Sequence, residues 1–166
     1  MNKQVWIEKA LGLGIQEFEI YQSTTVEKEM TWFQGQMDTL VSSKVTGTSI
    51  RGIVDGKMAN MALEEIDDSM CETVLKSLIE QAHIISNEET DSLRKPESID
   101  YVKKDVTWNM ASTEYVKDIL QSLEAKILAY DPRVIQVGYL GYCQGSGSRS
   151  IVNSLGMNVE DFDEMQ

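Results

Sequence analysis

The feature that most constrains this fold is a long stretch from Glu17 to Gly35 in which apolar and polar side chains alternate at its start. Phe18 and Ile20 are apolar and their neighbours are polar, and this two-residue period is typical of a strand with one buried face. Because a strand of this length needs partners for its backbone groups, the run predicts an extended hairpin that turns at Gly35.

Further strands are predicted on both sides of the middle of the chain. Residues 36–45, 48–54 and 57–63 alternate in the same way, and the dipeptide Asp55-Gly56 predicts a tight turn between the last two. Near the end, residues 134–143 and 149–153 predict a strand pair, with the sequence QGSGS at 144–148 as its turn. A short strand is also expected at 99–102.

Three helices are predicted from apolar spacing and capping residues. Residues 2–11 form a short amphipathic helix. A second helix starts at the Asp67, Asp68, Ser69 cluster, with Ser69 and Glu72 at capping-box spacing, and continues to about Ser86. The apolar side chains that predict its buried face are Ile66, Met70, Cys71, Val74, Leu75, Leu78, Ile79 and Ala82.

A third helix is expected between Ser112, as its N-cap, and the Asp131-Pro132 pair that stops it. Its predicted buried stripe consists of Val116, Leu120, Leu123, Ile127 and Tyr130. Residues 87–97 are polar and predict a surface loop. The order of elements indicates an α+β fold over residues 1–166, with a largely antiparallel sheet packed by two long helices and a short N-terminal helix. A helix precedes a long hairpin near both ends, which is consistent with an internal duplication.

The charge balance argues against a nucleic-acid binder. The chain has 15 basic and 27 acidic residues, a net charge of -12 that repels phosphate backbones. No apolar run is long enough to span a bilayer, and Glu8 and Lys9 interrupt the apolar start, so neither a membrane span nor a secretory signal is expected. We therefore expect a cytoplasmic protein, with Cys71 and Cys143 as reduced, partly buried hydrophobic side chains.

One segment carries a resemblance to a known family. GTSIRGIVDGKMANMALEEID, at 47–67, resembles the signature of the TldD/PmbA family, whose members are described as modulators of DNA gyrase and as metallopeptidases. EFEIYQSTTVEKEMTWFQGQMDTL at 17–40 resembles the first hairpin of the family, and DPRV at 131–134 and IVNSLGM at 151–157 resemble later elements. Ala59 and Leu63 depart from the residues usual in that family, Gly and Thr, respectively.

The resemblance implies a noncatalytic amino-terminal domain that shapes a peptide-binding cavity and a subunit interface. In this family the zinc-binding HExxxH helix belongs to a carboxy-terminal domain, so the parent would be a TldD-like metallopeptidase or its metal-free PmbA-like partner. The implied partners are a peptide or protein substrate and a family member in a homo- or heterodimer. Because the chain ends just after the Asn-Ser-x-Gly element, we expect a domain boundary or a truncation there.

No catalytic, cofactor-binding or metal-ligating residue is predicted within the chain. His83 is the only histidine, and a capping or packing role is expected for it because a metal site needs several ligands. Arg51 is expected to pair with a carboxylate, with a contact to a peptide carbonyl as the alternative. The acidic clusters at 64–68 and 160–164 predict a helix start and a solvated tail rather than a cation site.

Structural roles are predicted for two other sequence features. The GSGS sequence at 145–148 lacks the lysine of a phosphate loop, so a turn is expected. Trp6, Trp32, Phe33 and Trp108 are predicted as core or half-buried, and Trp32-Phe33 could also form an exposed patch for a partner. A stand-alone protein-interaction module remains the alternative function. An independent hydrolase is disfavoured because no nucleophile elbow or triad spacing occurs.

Overall fold

The computed structural model describes residues 1–64, 66–86, 89–97 and 109–165. The elements are α1 (Lys3–Gly12), β1 (Glu17–Phe33), β2 (Gln36–Val54), β3 (Lys57–Leu63), a 3-10 turn (Asp68–Met70), α2 (Cys71–Ile84), α3 (Thr113–Tyr130), β4 (Leu140–Asn153) and β5 (Asn158–Met165). The strands form one sheet in the order β3-β2-β1-β4-β5. This arrangement confirms the predicted α+β fold, and a helix precedes a long hairpin twice, as expected.

The chain divides into two compact units. Unit 1 comprises Met1–Thr24, Thr46–Lys103 and Ser148–Asp161, and unit 2 comprises Thr25–Val45, Lys104–Gly147 and Phe162–Gln166. The long strands therefore contribute one stretch to each unit.

Unit 1 contains the larger core. Asn2 caps α1 by accepting a hydrogen bond from the Val5 amide at 3.3 Å. The predicted apolar face of α2 is confirmed, since most of its members are buried against the sheet; Met70 is the exception. A Cβ atom at Gly52 of β2 would lie 2.7 Å from a methyl carbon of Leu78, so α2 lies very close to the strand. The buried residues are Trp6, Ile7, Ala10, Ile15, Phe18, Ile20, Ile50, Val54, Ala59, Cys71, Val74, Leu75, Leu78 and Ala82.

Unit 2 has a smaller core formed by Met30, Trp32, Val116 and Leu120. Ser112 caps α3 as predicted, because its hydroxyl accepts a hydrogen bond from the Tyr115 amide at 3.1 Å. The helix also ends before Asp131, as expected. The predicted stripe was wrong at Leu123 and Tyr130, whereas Ile127 is half-buried.

The buried positions of α3 are Val116, Leu120 and Glu124, whereas Leu123 and Tyr130 are exposed. Four-residue steps keep these three side chains on one face of the helix, and the step to Leu123 rotates away from it. A charged residue therefore occupies the place where an apolar one was expected.

The hairpin of β1 and β2 is longer and more regular than predicted. The second and third predicted strands form a single strand, β2. Pairing continues across their expected break, since Thr24 and Thr46 share a hydrogen bond of 2.9 Å and Gln22 donates to the Thr48 hydroxyl at 3.2 Å. The Asp55-Gly56 turn is confirmed: Val54 pairs with Lys57, and both turn residues have positive φ.

The glycine-rich stretch near the carboxyl end was misassigned. Residues 144–148 do not form a turn but lie inside β4, which begins at Leu140 rather than at Val134. A Cβ atom at Gly145 would lie 3.2 Å from the Val26 carbonyl oxygen, so the glycine permits close approach of a neighbouring strand. The turn between β4 and β5 lies at Asn153–Gly156 instead, and the expected solvated acidic tail at 160–164 belongs to β5.

The start of α2 also differs from the prediction. The Asp67 carboxylate, rather than a Ser69–Glu72 capping box, accepts the hydrogen bond from the Ser69 amide at 2.7 Å, and α2 itself begins at Cys71. Residues 89–97 have no regular structure, as expected, but Leu93 is buried and its amide donates to Glu17 at 2.6 Å. The predicted strand at 99–102, together with Trp108 and Glu65, lies outside the described residues.

The cysteines and aromatic residues divide between core and surface. Cys71 is buried and Cys143 is exposed, so the expectation of burial was wrong for the second, and both are free thiols. Burial raises the pKa of the Cys71 thiol. Trp6 and Trp32 are core residues, which leaves Phe33 alone at the surface of the predicted Trp32-Phe33 patch. Within the described ranges no helix is long and apolar enough to cross a membrane.

Candidate functional site

Unit 1 contains a polar cluster centred on a buried ion pair. Glu19 of β1 is only 2% exposed, and the Nε atom of Arg51 on β2 donates to its Oε1 at 3.0 Å. A second guanidinium nitrogen of Arg51 contacts the same oxygen. The predicted pairing of Arg51 with a carboxylate is therefore confirmed.

Asn153, at the end of β4, completes this cluster. Its amide donates to the other oxygen of Glu19 at 3.2 Å and to the Arg94 carbonyl at 2.9 Å. Its own oxygen accepts hydrogen bonds from the amides of Leu155 and Met157, both at 3.0 Å. The cluster thus joins two strands, the β4–β5 turn and the 89–97 segment, which is a scaffolding role.

A shallow cavity with a volume of about 330 Å³ also lies in unit 1. Its lining side chains come from β1, β2 and the end of β3: Tyr21, Ser23, Gly47, Thr48, Ser49, Ala62, Leu63 and Glu64. The lining contains hydroxyl groups and one carboxylate but no histidine or cysteine. It can therefore form hydrogen bonds with a ligand, whereas it lacks an acid–base pair for hydrolysis.

Unit 2 holds a second buried carboxylate with different partners. Glu124 of α3 is 8% exposed, and its Oε2 accepts hydrogen bonds from the Trp32 indole at 2.7 Å and from the Gly35 amide at 3.0 Å. The Gly35 amide also reaches Oε1 at 3.2 Å. These donors are neutral, so the helix is attached to the β1–β2 turn without charge compensation.

A cavity of about 310 Å³ opens beside Glu124. Its walls are formed by the β1–β2 turn, by α3 and by the segment after α3, with Gln34, Gly35, Glu124, Leu128, Ile135, Gln136 and Val137 as lining residues. Apart from the carboxylate, the lining consists of aliphatic side chains and neutral amides. The cavity therefore combines one negative charge with apolar walls.

The amino-terminal part of β2 leaves one strand edge unpaired among the described residues. β3 pairs with β2 only from Thr48 to Val54, so residues 36–47 extend past their neighbour on that side. Met37, Val41 and Val45 are four residues apart, so they share one face, and all are exposed. Backbone donors and acceptors at such an edge can pair with another chain.

A second exposed apolar surface lies on the outer side of α3. Tyr115, Ile119 and Leu123 follow each other at four-residue spacing, and Tyr130 continues the row near the end of the helix. All four are exposed, although the neighbouring face of α3 is buried in the core of unit 2. An apolar row of this kind is typical of a surface that contacts another protein.

The single histidine of the sequence lies at the surface of unit 1. The His83 side chain is 58% exposed in the last turn of α2, and its Nε2 lies 3.7 Å from a carboxylate oxygen of Asp55. This exposed fraction contradicts the expected packing role, whereas the alternative capping role stays a prediction. In the part of the chain that the structure describes, no three His, Cys, Asp or Glu side chains are arranged to hold a metal ion.

The acidic residues before α2 have structural partners. Asp68 accepts hydrogen bonds from the Asn2 amide at 2.8 Å and from the Trp6 indole at 2.9 Å. These two hydrogen bonds hold the pKa of Asp68 below its ordinary value, and the contacts of Asp67 with Ser69 do the same for Asp67. The helix-start interpretation is thus confirmed for these two residues.

Sequence reasoning missed Glu124 as a site residue. The available signal was its spacing, four residues after Leu120 and eight after Val116, which places a carboxylate on the apolar face of α3. Glu124 was overlooked because Leu123 and Ile127 suggested a rotated stripe.

Comparison with known proteins supports the family resemblance. Residues 18–86 match the family described as PmbA/TldA metallopeptidase domain 1. No curated protein sequence matches the chain. Among solved structures, TldE from Thermococcus kodakarensis is 17% identical with a TM-score of 0.81, over 98% of this chain and 37% of that one.

Two further structures give the same fold. A candidate modulator of a DNA gyrase from Thermotoga maritima is 19% identical with a TM-score of 0.73, over 98% of this chain and 36% of that one. A candidate modulator of DNA gyrase from Bacteroides thetaiotaomicron is 19% identical with a TM-score of 0.75, over 97% of this chain and 38% of its own length. The chain thus spans little more than a third of each relative. Residues 18–86 therefore match the first domain of the PmbA/TldA metallopeptidase family, and the chain shares its fold with these three solved structures.

Proposed function

We propose that this chain is the noncatalytic amino-terminal domain of a TldD/PmbA-like protein, either a metal-dependent peptidase or its metal-free partner. In this role the domain shapes a peptide-binding cavity and a subunit interface. The family match and the coverage of about a third of each structural relative support a domain of a larger assembly. The described residues supply polar anchors and exposed edges, which suits binding rather than bond cleavage.

The observation that carries this proposal is the edge of β2 at residues 36–47, which extends past β3 and has no partner on that side among the described residues. An extended peptide can add to such an edge through main-chain hydrogen bonds, which tolerate many sequences. Val41 is at the middle of this edge and its side chain is 53% exposed, so it would contact alternate side chains of the added peptide. Asp38 and Lys44 on the same stretch limit aggregation of the free edge.

The subunit interface in this proposal is the outer row of α3, formed by Tyr115, Ile119, Leu123 and Tyr130. Aromatic side chains are enriched in the cores of protein interfaces, and both tyrosines are exposed here. A family member in a homo- or heterodimer is the proposed occupant. A cytoplasmic location and the absence of direct nucleic-acid contact belong to the same proposal, the second because of the net charge of -12.

Binding of an extended peptide tests the role of the β2 edge. The probe is a fluorescent peptide of alternating threonine and valine, and the matched control is the same peptide N-methylated at every second residue. We expect the anisotropy to rise with the first peptide only, because N-methylation removes the main-chain donors of one edge. Equal binding of both peptides would contradict strand addition.

A matched pair of variants locates the binding site on the protein. Val41→Lys places a charge at the centre of the edge, and Leu11→Lys makes the same change at an exposed leucine of α1. We expect Val41→Lys to weaken peptide binding at least about tenfold and Leu11→Lys to leave it unchanged. Similar affinities for the two variants would show that the peptide binds elsewhere.

Metal dependence distinguishes the two kinds of parent. In the protein that contains this domain, peptide hydrolysis that is lost on chelation and restored by zinc would identify a TldD-like parent. Hydrolysis that appears only after a second family member is added would identify a PmbA-like partner. A protein that binds peptides but never hydrolyses them in either assay would favour the stand-alone interaction module.

A further inference from the structure

The cavity beside Glu124 in unit 2 has no role in the function proposed above. Glu124 is a carboxylate buried to more than nine-tenths, and only two neutral N–H groups, from Trp32 and Gly35, donate to it. Within the described residues, no Lys, Arg or His nitrogen lies within 4.0 Å of its oxygens. A buried carboxylate without a cationic partner is costly, since its charge has lost most of its hydration.

The geometry leaves part of this carboxylate available. An ionised carboxylate has about four acceptor positions, and Trp32 and Gly35 occupy two or three of them. Oε1 receives only the longer branch of the Gly35 hydrogen bond, at 3.2 Å. Glu124 lines the cavity together with Gly35, so the remaining acceptor positions belong to a group that reaches the cavity wall.

The rest of the cavity matches the stem of a basic side chain. Leu128, Ile135 and Val137 provide aliphatic contact, and the amides of Gln34 and Gln136 are neutral. A volume of about 310 Å³ is at the lower end of what small-ligand sites use. Long basic side chains combine an apolar stem with a charged head, and this is the combination that the lining complements.

We propose that this cavity binds the side-chain cation of a lysine or arginine in a peptide, with Glu124 as the charge partner. The net charge of -12 favours the approach of basic peptides over acidic ones. The identity of the occupant rests on the proposed peptide-binding role, whereas the cation site itself does not. Salt is expected to weaken this binding because the contact involves a full charge.

NMR spectroscopy of the full chain tests this site with defined probes. The probes are N-acetyl-lysine N-methylamide and N-acetyl-arginine N-methylamide, and N-acetyl-norleucine N-methylamide is the uncharged control. We expect saturable shifts of the Gly35 amide and the Trp32 indole signals with the two basic probes only, because both groups donate to Glu124. Equal shifts with norleucine, or no saturable shift up to about 50 mM, would overturn the proposal.

Two variants show whether the charge of Glu124 is responsible. Glu124→Gln keeps an acceptor oxygen for Trp32 and Gly35 but removes the charge, and we expect at least about a tenfold loss of affinity for the basic probes. Gln136→Lys places an ammonium group at the cavity wall, where it should occupy the carboxylate and block the same probes. Unchanged probe binding in either variant would contradict the assignment.

The variant of the β2 edge separates this proposal from the previous one. Val41→Lys should leave binding of the lysine probe unchanged, because Val41 does not line the cavity. Failure of the cation site would then leave strand addition intact, and failure of strand addition would leave the cation site intact. Loss of lysine-probe binding in Val41→Lys would contradict the proposed location at Glu124.

Discussion

Each unit buries one glutamate, and the two carboxylates differ in the groups that donate hydrogen bonds to them. In unit 1, Glu19 is compensated by the guanidinium of Arg51 and by the amide of Asn153. In unit 2, the described residues give Glu124 the neutral donors of Trp32 and Gly35 alone. The first carboxylate is part of the scaffold, because its charge is balanced inside the domain. The second carboxylate lacks such a cation among the described residues, which is the basis of the proposed cation site.

The two units also differ in the size of the core that their described residues form. Among the described residues, fourteen buried hydrophobic side chains form the main cluster of unit 1 and four form that of unit 2, which also carries the exposed row of α3 and most of the β2 stretch that extends past β3. Apolar surface that a unit does not bury in its own core is available for partners. This difference supports the proposal that unit 1 has a structural role and that unit 2 has a binding role.

The largest loss of stability is expected when the ion pair between Glu19 and Arg51 is broken. Arg51→Met leaves Glu19 buried without its cation. We expect the unfolding free energy to fall by about 3 kcal/mol, which is the low end for removing one partner of a buried ion pair, because the Arg51 side chain is 43% exposed. Urea denaturation measures this loss. The control is Arg133→Met, which breaks an exposed pair with Asp131 and should cost less than about 1 kcal/mol. Equal costs would contradict a scaffolding role for the Glu19 cluster.

A smaller loss of stability is expected when a glycine inside β4 is replaced by alanine. Gly145→Ala brings a Cβ atom to 3.2 Å from the Val26 carbonyl oxygen, and the strain should cost about 1–2 kcal/mol. Gly138→Ala is the control, since no atom lies within 4 Å of its added Cβ. Thermal or urea unfolding of both variants checks this prediction. A loss no greater for Gly145→Ala than for Gly138→Ala would restore the hairpin turn predicted from the sequence.

The two glutamates should respond unequally to neutralisation. Glu19→Gln removes the ion pair and should cost about 2 kcal/mol, as for a hydrogen bond to a charged group. Glu124→Gln keeps its acceptor and removes an uncompensated buried charge, so the two effects offset and the change should stay within about 1 kcal/mol. Urea midpoints of both variants give the comparison. A cost for Glu124→Gln as large as that for Glu19→Gln would contradict the contrast between the units.

The smallest effect on stability is expected from protonation of Asp68 at low pH. Hydrogen bonds from Asn2 and Trp6 lower the pKa of Asp68, so the folded state holds this carboxylate ionised more firmly than the unfolded state does. Its contribution is therefore present above the unfolded pKa and is lost as the pH falls below about 4. Urea midpoints between about pH 5 and pH 2 should fall less steeply for Asp68→Asn than for the native protein. Parallel curves would contradict this role.

Local patterns predicted most of unit 1. The apolar face of α2, the Asp55-Gly56 turn with its β3 strand, and the pairing of Arg51 all follow from spacing and side-chain chemistry. These features depend on neighbours close in sequence or on a residue type with few alternatives. The identity of the Arg51 partner, Glu19, was not predicted, because strand register is set by the whole sheet.

Unit 2 was predicted less well for a physical reason. Glycines such as Gly145 fit a turn and a crowded strand equally, and only the approach of Val26 from another strand decides between them. The acidic residues of β5 have a poor strand propensity, so their pairing with the sheet cannot be derived from composition. The burial of Glu124 depends on the indole of Trp32, which lies 92 residues away in sequence.

Hydrogen exchange of β2 tests the central claim, that unit 2 offers an open strand edge to an extended peptide. The amides of residues 36–47 would be followed by mass spectrometry with and without the threonine–valine peptide, and the paired strand β3 would serve as the internal reference. We predict that the peptide slows exchange in residues 36–47 and leaves Lys57–Leu63 unchanged. Unchanged exchange in residues 36–47 at saturating peptide would contradict the claim.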